Sequence, residues 1–175
     1  SEIEDIKRKL DDVIREHART LKEIKDELKK SNERARERIE DIDRKLRDVE
    51  RRLRESGVDD DVLRDLEDKA RKIKRKLEKI HEEHRRMLEE IEKEARKSLK
   101  ELKEIVEDIK RKADDNRVRV EELEDLVRRL KKRVEEVNKR LREKVKRLHD
   151  EVDRVLRELE EEVKKLKEDV ERAAK

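Results

Sequence analysis

The sequence predicts an all-α fold, a single-chain antiparallel three-helix bundle of long, nearly straight helices, and three observations carry that expectation. Of the 175 residues, 62% are charged and 30% apolar, with no Phe, Trp, Tyr, Cys or Pro and a single glycine, Gly57. Such a bias marks long helices rather than a mixed globular domain. An apolar stripe at helical spacing runs through the chain, and only two short segments interrupt it. A disordered chain can share the charge but lacks a regular stripe.

The first helix is expected over about residues 2–56. Its inward stripe is Ile3, Ile6, Leu10, Val13, His17, Leu21, Ile24, Leu28, Ser31, Ala35, Ile39, Ile42, Leu46, Val49 and Leu53. The steps of three and four residues recur after 18 residues. Five turns in that unit give the 3.6-residue period of a straight α-helix, whereas a heptad imposes a left-handed supercoil.

The segment Ser56 to Asp59 ends this helix. Gly57 suits the left-handed residue past a helix C-terminus, because it has no Cβ to clash. Asp59 suits the N-cap of the second helix, Asp60 and Asp61 place negative charge at its positive end, and Val58 with Leu63 would staple its start.

The second helix, about 60–114, carries the stripe Leu66, Ala70, Ile73, Leu77, Ile80, His84, Leu88, Ile91, Ala95, Ser98, Leu102, Val106, Ile109 and Ala113. A second break follows at Asp114 to Val118, where Asn116 is the expected left-handed residue and Val118 with Leu123 the staple. The third helix, about 119–174, continues the pattern through Leu123, Val127, Leu130, Val134, Val137, Leu141, Val145, Leu148, Val152, Val155, Leu159, Val163, Leu166, Val170 and Ala173. Residues 1–175 are thus read as one domain. Each helix of some 55 residues should extend roughly 80 Å at 1.5 Å per residue.

Composition also bounds function. No run of about 18 apolar residues could span a membrane and no signal-peptide core opens the sequence, so a soluble chain without an address and without a membrane partner is expected. Without cysteine there is neither a disulfide framework nor a thiolate metal site. The formal net charge is +3, from 56 basic and 53 acidic residues, and names no partner. The inward positions consume nearly all the apolar residues, leaving scattered flanking ones such as Ile14, Leu63, Met87, Leu99, Ile105, Leu126 and Leu156. A subunit of a larger assembly would need a second apolar stripe, so a monomer is expected.

Taken together, equal helices, strict periodicity, two minimal loops, a Glu/Lys/Arg surface and a Leu/Ile/Val/Ala core resemble the family of parametrically designed de novo helical bundles. The resemblance covers the whole length. It implies a structural scaffold with no native substrate, cofactor, partner or compartment. Natural three-helix units of the spectrin type are less similar, since they carry heptad breaks and core tryptophans.

Polar residues on or beside the stripe are where chemistry could reside. Ser31 and His84 lie equally far from the first turn along its two arms, as do His17 and Ser98. About the second turn His84 matches His149, and Ser98 comes within one turn of Asn138. Two polar layers are therefore expected: Ser31, Asn32, His84 and His149 with His81 a turn away, and His17, Thr20, Ser98 and Asn138. Buried polar groups cost free energy unless matched, so layers at equal height read as hydrogen-bond networks that disfavour slipped registers.

The alternatives are sharper chemistries. His81, His84 and His149 could offer three imidazoles to zinc, but no carboxylate occupies a stripe position. Ser98 near His17 lacks an acid and an oxyanion hole, and no enzyme activity is expected. Residues 128–147 hold 11 basic against 3 acidic side chains, enough to attract phosphates non-specifically, yet no aromatic is available to stack on bases. No nucleic-acid partner is expected.

Overall fold

A computed structural model describes residues 1–174. Lys175, the last residue of the expected domain, lies outside them. The chain is an all-α three-helix bundle with α1 at Glu2–Glu55, α2 at Asp60–Ala113 and α3 at Val120–Ala173, each of 54 residues. Every end falls within a residue of its expected position. Each first turn carries acidic residues and each last turn basic ones, matching the helix dipole.

The packing resolves into two compact units, to each of which every helix contributes one segment. One holds Ser1–Leu28 and Leu88–Lys146; the other holds Lys29–Met87 and the chain from Arg147 onward. In the first unit, Leu10, Val106, Ile109, Leu123 and Val127 belong to one buried cluster drawn from all three helices. Lys110 reaches Asp11 at 2.6 Å and Lys7 reaches Asp114, which sets the start of α1 against the end of α2, antiparallel. In the second unit, Arg38 meets Asp153 and Arg52 meets Glu171, so α1 and α3 run parallel there. Lys76 meets Glu162 and Lys69 meets Asp169, so α2 runs antiparallel to α3.

Burial follows the expected stripe, except that Ile3, Ser31, Ile39, Leu88, Ala95 and Val155 are only half-buried and Ala173 is exposed. Leu156 is fully buried where Val155 was expected. The repeat leaves two neighbouring positions sharing one place on the core line, and the longer leucine fills it. Ala173, the last residue of α3, is exposed, beyond the last buried side chain, Val170.

The turns differ in how they are closed. Gly57 has φ +65°, as a left-handed helix terminator requires, and Ser56 Oγ donates to the Leu53 carbonyl at 2.6 Å. The Asp59 carbonyl accepts the Leu63 N–H at 2.9 Å, which places Asp59 at the N-cap of α2. Asn116, expected to be left-handed, is not: among the described residues only Gly57 has positive φ. Asp115 closes this turn instead. Its Oδ1 accepts the Arg117 backbone N–H at 3.0 Å, and its carbonyl accepts the Val118 N–H at 3.1 Å. A side chain that mimics a turn in this way removes the need for a left-handed residue. The Arg117 guanidinium and backbone N–H hold the Asp115 carboxyl below its usual range.

Candidate functional site: buried histidines in each unit

Two histidines sit on the inward stripe, and the 18-residue repeat shows what each displaces. His17 occupies the position held one and two units later by Ala35 and Leu53, and His84 stands between Leu66 and Leu102. The same helical face that buries those aliphatic residues buries the imidazoles: His17 is 0% exposed and His84 3%.

In the first unit the structure brings His17, Ser98 and Asn138 together, one residue from each helix. Ser98 Oγ lies 3.5 Å from His17 Nε2, at the long limit of a hydrogen bond. With the hydroxyl donating, the neutral imidazole carries its proton on Nδ1. Asn138 is close enough for its side chain to favour the imidazolium. The contact is nevertheless open, because His17 Nδ1 and Asn138 Oδ1 both lack a hydrogen-bond partner. This layer therefore buries a donor and an acceptor that are each left unsatisfied. Thr20, expected in this layer, is half-buried and joins none of its hydrogen bonds.

The layer expected in the second unit does not assemble. His84 Nε2 has no partner, and no hydrogen bond joins His84 to Ser31, Asn32 or His149 among the described residues. Ser31 and Asn32 are half-buried, whereas His81 and His149 are exposed. The pairing of Lys76 with Glu162 shows why His149 does not reach His84. Continued along the antiparallel helices, it sets His84 opposite Arg154, more than a turn beyond His149. The repeat equivalents of His149 are Lys131 and Lys167, which are exposed positions.

Burial pushes both inward imidazoles below the usual histidine pKa. For His17 desolvation dominates and Asn138 partly offsets it; for His84 desolvation is joined by repulsion from His81. Both are therefore neutral side chains at pH 7.

This arrangement limits the available chemistry. His81, His84 and His149 do not converge, and no group of three or more His, Cys, Asp or Glu is placed to hold a metal ion among the described residues. Ser98 and His17 have the contact of a nucleophile and its base, but no carboxylate orients the imidazole and both groups lie inside the core. In the basic segment of α3, Arg140 and Lys144 bind Glu94, Arg142 meets Glu23, and Arg128 and Arg129 share Asp125. No described helix is long and apolar enough to cross a membrane.

One polar cluster lay beyond sequence reasoning. Arg38 of α1 binds Asp153 at 2.6 Å and Glu160 at 3.0 Å on α3, with Arg38 and Asp153 partly shielded from solvent and Glu160 exposed. Asp153 is held below the usual carboxylate range, chiefly by its hydrogen bond from Arg38. Its only trace in the sequence is one arginine among many on a helix flank. No protein-family model, curated protein or solved structure matches the chain.

Proposed function

We propose that this chain is a designed structural scaffold, a monomer whose role is its fold, with the His17, Ser98 and Asn138 layer placed to fix helix register. The observation that carries this reading is the economy of the core. Three helices of equal length share one 18-residue unit, and Val62, 40% exposed, is the one large hydrophobic residue left in water among the described residues. A layer drawing one polar residue from each helix is costly in any packing that separates its members, since each would then be buried alone.

Spin labels at Asp11 and Lys110, which pair across α1 and α2, test the register role. The parent chain should give one narrow distance. The variant combining His17→Leu, Ser98→Ile and Asn138→Leu takes each replacement from an equivalent repeat position. It should add a second population displaced by about one helical turn, 5.4 Å. One unchanged distance in that variant sinks the register role.

A further inference from the structure

In the first unit a groove of about 310 Å³ opens between α1 and α2. Its apolar lining is Ala18, Leu21, Ile24, Leu28, Ala95 and Leu99, and its charged lining is Lys22, Lys25, Arg96 and Glu92. The position of Ala95 is held one unit earlier by Leu77 and one unit later by Ala113, both buried, whereas Ala95 is only half-buried and lines the groove.

The charges around it are uncompensated. None of the four lining charges takes part in an ion pair among the described residues, and the nearby Glu23 is engaged by Arg142 instead. Three cations and one carboxylate thus border an apolar trough. From Ala18 to Leu28 it extends about 15 Å at the helical rise. That is short for a docked helix, because a stable protein interface buries about 800 Å² on each partner, but its volume is at the lower end of small-molecule sites.

We propose that this groove binds a single-chain amphiphile with an anionic head group, its alkyl chain against the half-buried Ala18, Ala95 and Leu99, above the buried Leu21, Ile24 and Leu28, and its head among Lys22, Lys25 and Arg96. The apolar floor supplies burial, and the unpaired cations select the sign of the head group, most strongly at low salt. This site adjoins the His17 layer through Ala18 and Leu99 but includes none of its polar residues, and it does not depend on the scaffold reading.

Calorimetric titration with decanoate, kept below its aggregation concentration, tests the proposal, with decyltrimethylammonium as the same chain of opposite charge. Decanoate should bind and the cation should not. Ala95→Leu, which fills the trough with the residue of the preceding repeat, should abolish binding, and Ala18→Leu should weaken it. Circular dichroism confirms that each variant remains helical. Lys22→Glu with Lys25→Glu and Arg96→Glu should invert the preference toward the cation. Lys131→Glu with Lys132→Glu and Arg133→Glu, an equal charge change on α3, should leave decanoate binding intact. Failure of decanoate to bind, unchanged binding in Ala95→Leu, equal binding of the two amphiphiles, or loss of binding in the α3 control each overturns the proposal.

Discussion

At the scale of residues, the two inward histidines have different energetics. His17 has a serine at hydrogen-bond range and the Asn138 amide nearby, while His84 buries a nitrogen that has no hydrogen-bond partner. An unpaired buried polar atom costs about 1–3 kcal/mol. His84→Leu restores the residue of the flanking repeats, so it should stabilise the fold by about that amount in denaturant titrations at pH 7.5, and His17→Leu should gain less because it strips Ser98 of its partner. The pH dependence shares this origin. Both folded-state pKa values are depressed, so the unfolded chain binds more protons once pH falls below the unfolded histidine value of about 6.5. Stability from these sites is full above that pH and is lost as pH falls toward the folded values. The loss between pH 7.5 and pH 5 should shrink in both leucine variants; an unchanged loss places the effect on carboxylates instead. Inward positions such as 17, 84 and 98 were legible because the period fixes which side chains face the core. His149 was misplaced because equal height was counted from the turn alone, and the interhelical offset set by packing is absent from any one-dimensional count.

At the scale of elements, the helices and the Gly57 turn were legible and the closure of the second turn was not. Glycine announces a left-handed residue, since other residues adopt that conformation at a cost of about 1–2 kcal/mol. A Cβ at position 57 would meet no atom within 4 Å, so Gly57→Ala isolates the backbone term. Unfolding should show a destabilisation of about 1 kcal/mol with no change in helix content. A neutral substitution would mean that the loop relaxes out of the left-handed region. The second turn has no such marker. Asp114, Asp115 and Asn116 all favour turns, and only the position of the Arg117 N–H decides that Asp115 makes the closure. The exchange of Val155 for Leu156 has the same character: a period of 18 names the face, and side-chain length decides which of two neighbours fills it.

At the scale of the whole molecule, association depends on what apolar surface remains after the three helices have covered one another. That question could be framed from the sequence, because five inward positions in 18 nearly exhaust the apolar residues. Its answer needed the burial pattern, since Ile14, Ile105 and Leu126 turn out half-buried against the core rather than presented to solvent. Val62 alone is far too little for a stable interface, which buries about 800 Å² per partner. The groove between α1 and α2 adds a trough too short to seat a helix. Sedimentation equilibrium at micromolar concentration should therefore return the monomer mass, unchanged from low to high salt, because neither an apolar patch nor the small net charge of +3 drives pairing. A mass that rises with concentration would overturn the monomer, and two substitutions would then locate the contact. A dimer that survives Val62→Lys and disappears in Ala95→Leu would seat it in the groove. One that survives both would require an apolar face that burial within the chain has already covered, and hence an exchange of helices between copies.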